Sequence, residues 1–170
     1  MISILSKLFI KDRLDFSAAA VRTSYGILCG ITGIVLNIFL FAIKFFAGLI
    51  SGSVAVTADA FNNLSDAGSS VISLIGFKLA SQKPDKDHPF GHGRFEYISG
   101  LIVSLIILLM GVELAKDSFS KILSPEAVET SALTFVILAV SICVKLYMSF
   151  YNRSIGKKIN SASMKATAAD

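Results

Sequence analysis

From Gly26 to Ile50 the chain reads "GILCGITGIVLNIFLFAIKFFAGLI", an apolar run broken only by Asn37 and Lys44. A bilayer crossing needs about 20 such residues in a helix. In hydrocarbon every backbone N–H and C=O must be paired within the segment, so the run has few alternatives to an α-helix. Two further runs share this character: "ISGLIVSLIILLMGVELAKDSF" over 98–119 and "TSALTFVILAVSICVKLYMSF" over 130–150. Charged residues make up 16% of the 170 and hydrophobic ones 54%, against roughly 25% charged in soluble domains. Together these features predict an all-α, polytopic membrane helix bundle.

The net charge of +4 does not point to nucleic acid. Its basic residues fall in short segments between the apolar runs, the pattern of cytoplasmic loops. Lys7, Lys11, Arg13 and Arg22 precede the first span. Lys83, Lys86 and Arg94 lie between the second and third, and Arg153, Lys157 and Lys158 follow the fourth. The link around Gly52 carries no charge, and the link between spans three and four sets Lys121 against Glu126 and Glu129. This alternation places the N-terminus in the cytoplasm of a cell-membrane protein, with residues 1–25 as a basic amphipathic lead-in and 26–170 as the membrane domain. Cys29 and Cys143 both sit in apolar runs without CxxC spacing, so neither a disulfide framework nor a thiolate metal site is expected. No HExxH, GxSxG or Walker glycine loop occurs, which argues against catalysis.

The second span, about 54–80, is the unusual one. Its first half contains "ADAFNNLSDAGSS", with two aspartates and two asparagines. Hydropathy alone would make it a loop. Against that stand the absence of proline from Met1 to Gln82 and the return of apolar residues in "VISLIGFKLA". On a helix, steps of three and four residues return to one face, so Asp59, Asn62 and Asp66 form one stripe. Carboxylates inside a membrane are costly unless paired with a cation or set in a polar cavity. Oxygens from Asn62 and Asp66, one turn apart, can grip one divalent ion, given ligands from another helix. Asp59 fits that site, a proton site, or a structural partner for Lys44. Asn63 points elsewhere and reads as structural. The competing explanation is helix packing, with the polar groups bonded across the bundle. Glu113, near Lys116 and Asp117, reads as part of a membrane-boundary network.

A second cluster lies in "KPDKDHPFGHGRFEY", where Asp85, His88 and His92 combine a carboxylate with the only two histidines of the chain. That donor set suits zinc and similar divalent metals. Pro89, Gly91 and Gly93 speak against a continuous helix through the histidines, but a glycine-rich turn can fold both rings onto one ion. The alternative is a polar loop whose histidines cap helices.

These two stretches, "SGSVAVTADAFNNLSDAGSS" and "DHPFGHGRFEYISG", resemble the cation diffusion facilitators, metal-ion/proton antiporters, from about Arg22 onward. The resemblance implies a six-helix domain, a cytoplasmic metal-binding domain and a homodimer that exports divalent metal in exchange for protons. It implies half of a transport site at Asn62 and Asp66 and a loop zinc site at Asp85, His88 and His92, with no tightly required cofactor. Zinc-moving members typically carry histidine where Asn62 stands; an Asn–Asp pair looks like the manganese-exporting branch, and hard oxygen donors suit that ion. The remaining ligands would come from a fifth helix, whose opening "ATAAD" resembles, with Asp170 as the motif's leading aspartate. The chain thus reads as a fragment of a longer protein, with a fifth helix starting near 160–170. Zinc, iron or cobalt efflux, a channel, and a non-transporting structural or metal-sensing membrane protein are the competing functions.

Overall fold

The computed structural model describes residues 6, 7, 9, 10, 14–16, 18–124 and 132–169. Lys11, Arg13, Glu126, Glu129 and Asp170 lie outside them. From Ala19 onward the described residues form, in order, α1 (Ala19–Ser51), α2 (Val54–Ala80), α3 (Arg94–Leu123), α4 (Ala132–Lys158) and the short α5 (Ala162–Thr167). The all-α bundle expected from the apolar runs is the fold observed. Three helical stretches among the described residues, Ala19–Ser51, Arg94–Leu123 and Thr134–Lys158, are long and apolar enough to cross a membrane. This makes the chain a multi-pass membrane protein. α1 and α3 overrun their predicted spans at both ends and α4 at its C-terminal end, because an α-helix does not stop where the apolar residues do, while α2 matches its predicted span.

The polar half of the second span is helix throughout. The whole of α2, 27 residues, reaches about 40 Å at 1.5 Å per residue, more than the roughly 30 Å hydrocarbon core. α2 packs side by side with α1 and α3. The α1–α2 turn follows from local sequence: Gly52, at φ +67°, closes α1 with N–H bonds to the last turn, and the Ser53 hydroxyl caps α2 by accepting from Val56 N–H at 3.4 Å. A left-handed φ of that kind suits glycine.

Apolar side chains divide between two settings. Tyr25, Cys29, Phe77, Met148, Tyr151 and Ile159 form a buried cluster joining α1, α2 and α4. Phe39, Phe46, Leu105, Leu109 and Phe150 face outward, as membrane helices require. Cys29 is buried, Cys143 exposed, and both are free thiols. Asn37 and Lys44, the two interruptions of the first run, are 2% and 5% exposed, so both turn inward.

Small residues let α5 dock. Gly100 of α3 lies against the backbone of Ser163, whose N and Cα would sit 3.1 Å from any added Cβ. Ser163 donates its hydroxyl to Ser73 Oγ at 2.9 Å, and Ser73 and Thr167 hydroxyls meet at 3.2 Å. α5 is itself capped by Ser161, which accepts from Met164 N–H. At the far end of α1, Arg22 donates to Glu96 at 3.0 Å and to the Ile159 carbonyl at 2.8 Å, tying α1 to α3 and to the end of α4.

Candidate metal sites

The stripe on α2 opens into a cleft of about 550 Å³ walled by α1, α2, α4 and the chain after α5. Asp59, Asn62 and Asp66 all line it, as their spacing predicts. Asn63 does too, correcting the expectation that it points elsewhere: it is 1% exposed, donates Nδ2 to the Asp59 carbonyl at 3.1 Å, and leaves Oδ1 buried without a partner. Helical spacing of one residue turns a side chain by about 100°, which a cleft bordered by helices on both sides can still collect. Glu113 is exposed on the C-terminal half of α3 and belongs to neither cluster.

Each carboxylate in the cleft has a lysine. Lys44 of α1 sets Nζ 2.8 Å from Asp59 Oδ2, the structural pairing left open by the sequence. Lys145 of α4 donates to Asp66 Oδ2. Sequence reasoning missed Lys145. The available signal was its place inside "SICVKLYMSF", since a cation within a membrane span calls for a partner of opposite charge. Further along α4, the Ser149 hydroxyl donates to the Ala168 carbonyl at 2.7 Å, closing the cleft with backbone from beyond α5.

The loop cluster forms at the entrance to α3. Asp85, His88 and His92 each offer a ligand atom, and these atoms lie within 4.8 Å of one another. The turn that gathers them is glycine-dependent: Gly91 has φ +83° and donates its N–H to the His88 carbonyl at 2.9 Å. The imidazole centroids of His88 and His92 are consequently 4.5 Å apart. Asp85 spans the pair, with Oδ1 3.4 Å from His88 Nδ1 and Oδ2 3.3 Å from His92 Nε2. The His88 backbone N–H, donating to Asp85 Oδ1 at 2.6 Å, is the first cause holding that carboxyl below its ordinary range, with the neighbouring imidazoles adding to it. His92 is 6% exposed, stacks on Phe95, and has no hydrogen-bond partner at Nδ1. Two imidazoles and a carboxylate at these separations fit a zinc-like ion, which takes N and O ligands at about 2.0–2.2 Å.

A multi-pass helix bundle whose interhelical cleft is lined by two aspartates and two asparagines offers the oxygen donors that a cation takes. Residues 30–170 match the cation efflux transmembrane domain, and the chain belongs to that family. It is 36% identical over 138 residues to an uncharacterized transporter of Methanocaldococcus jannaschii, covering 81% of this chain and 49% of that protein. It is 34% identical over 140 residues to the manganese efflux system protein MneS of Bacillus subtilis, covering 82% and 48%. The magnetosome protein MamM of Magnetospirillum gryphiswaldense is 33% identical over 140 residues, covering 82% and 44%. The chain thus spans about half the length of the curated relatives it matches. No solved structure matches it.

Proposed function

We propose that this chain forms part of a divalent-cation exporter that carries manganese in preference to zinc, out of the cytoplasm and in exchange for protons. The observation that carries the reading is the placement of Asn62 and Asp66, one turn apart on α2 and lining one cleft between helices. A hard ion such as Mn²⁺ favours carboxylate and carbonyl oxygens over imidazole. The likeness to a manganese efflux protein supports the same choice. Asp59, held by Lys44, positions the cleft wall, and the ligand role falls to Asn62 and Asp66 with donors from a further helix.

Alternating access then gives the exchange. A carboxylate binds either a metal or a proton, and protonation removes both its charge and its lone-pair donation. Metal entering from the cytoplasm displaces protons, the bundle reorients, and outside protons compete the metal off. The loop cluster takes a structural zinc that fixes the entrance to α3. The N-terminus lies in the cytoplasm, in line with the basic loops, and the full-length protein works as a homodimer. Reconstituted in liposomes, it should take up Mn²⁺ faster than Zn²⁺ and release protons as it does so. Flux indifferent to a proton gradient of either sign would overturn the antiport, and Zn²⁺ flux exceeding Mn²⁺ would move the metal assignment to zinc.

A further inference from the structure

The two ion pairs of the cleft are built in opposite senses. In the first, the Lys44 side chain is 6% exposed and Asp59 37%, so the cation is the fixed member. In the second, Asp66 is 8% exposed and Lys145 32%, so the carboxylate is fixed and the cation has room to leave. Asp66 is also the carboxylate of the proposed ligand pair. A long, flexible four-carbon stem carries the Lys145 charge, and its ammonium sits on the oxygen a metal would need.

We propose that Lys145 is the resident cation of the cleft, a specificity-determining residue that neutralises Asp66 when no metal is bound and swings away when a divalent ion takes the carboxylate. This rests on reading Asp66 as a transport ligand. An ionised carboxylate held in a membrane without a partner is strongly disfavoured, and Lys145 supplies that partner without any ion from solution. The ammonium and a metal ion compete for Asp66, because two cations held against one carboxylate repel each other.

Displacement discriminates by charge. A tethered ammonium competes at the high effective concentration that tethering confers. Sodium or potassium offers Asp66 one positive charge, the same as Lys145, and must overcome that tether. A divalent ion offers two, and gains ligation from Asn62 as well. Lys145 therefore sets a threshold that divalent ions cross and the far more abundant monovalent ions do not.

The test uses the full chain in detergent with Mn²⁺ alone as the probe, measured by calorimetry. Lys145→Met should bind Mn²⁺ about tenfold more tightly than the unaltered chain, and sodium should weaken that binding in the variant alone. Lys145→Arg, whose planar fork grips a carboxylate bidentately, should bind Mn²⁺ more weakly. A purely structural lysine predicts weaker binding in the methionine variant instead. Independently, Mn²⁺ should raise the rate at which an amine acylating reagent labels Lys145 in the unaltered chain. Should the methionine variant fail to fold, the arginine variant and the labelling decide. Unchanged labelling with Mn²⁺ bound, or equal affinity across the variants, would overturn the displacement. Asp66→Asn serves as the control for the underlying reading: if it binds Mn²⁺ as well as the unaltered chain, Asp66 is no ligand, and the transport assignment fails rather than the role of Lys145 alone.

Discussion

Lys44 and Asp59 join α1 to α2 through a 2.8 Å ion pair whose lysine is almost wholly buried. Its loss should be felt as stability. Removing the carboxylate with Asp59→Ala strands a buried ammonium, a defect that costs about 1–3 kcal/mol where the lost partner is itself partly solvated. Thermal unfolding in detergent should show a lowered midpoint, and the exchanged pair Lys44→Asp with Asp59→Lys should restore part of it. A double variant no better than the single ones would mean that the pairing contributes nothing.

Metal preference should follow the ligand at position 62. Asn62→His replaces a hard oxygen donor by an imidazole, which suits zinc better than manganese. In competition binding to the full chain the Zn²⁺/Mn²⁺ affinity ratio should rise by about tenfold or more. A ratio that does not move would remove Asn62 from the ligand set.

The loop cluster should bind zinc separately from the cleft. His92→Ala deletes one of three donors, and its effect should exceed the roughly 10–100-fold loss typical of removing an outer partner. Asp66→Asn should leave the loop affinity unchanged, as read by competition with a chromophoric chelator. Loss of both affinities together would show that the two clusters are one site.

Asp85 makes a prediction in pH. Its carboxyl is held below the ordinary value by the His88 backbone N–H and the nearby imidazoles, so the folded loop binds the proton less readily than the unfolded chain. The contribution to loop stability is therefore full above the usual carboxylate range, near 3.9, and is lost as pH falls through the lowered folded value. Carboxyl ¹³C NMR of the metal-free chain should place the Asp85 midpoint below that of an exposed aspartate. An ordinary midpoint would mean that the His88 N–H bond does not persist.

The sequence made some of this legible and hid the rest for physical reasons. α1, α3 and α4 follow from long apolar runs with few polar interruptions, because a span facing lipid has little choice of residue. α2 does not, since most of its polar groups turn toward other helices, and only its missing prolines and its apolar second half gave it away. The stripe of Asp59, Asn62 and Asp66 was legible from helical spacing, whereas the inclusion of Asn63 depended on the width of the cleft. The pairing of Asp66 with Lys145 joins residues far apart in the chain, and one-dimensional spacing carries no information about which face of α4 meets α2. The loop cluster lay between these cases: Gly91 and Gly93 marked a turn, and the turn's actual φ of +83° at Gly91 is what brings the imidazoles together.

The contact between α2 and α5 is made of hydroxyls and bare backbone: Ser73, Ser163 and Thr167, with Gly100 of α3 behind them. Large side chains lock helices by filling one another's gaps, and a shift of one ångström then has to undo that fit. A hydroxyl can rotate and take the next oxygen along. Such a seam resists being pulled apart yet offers little resistance to sliding, the shear by which packed helices change position. In the exporter proposed above, this seam is where α5 would slide along α2.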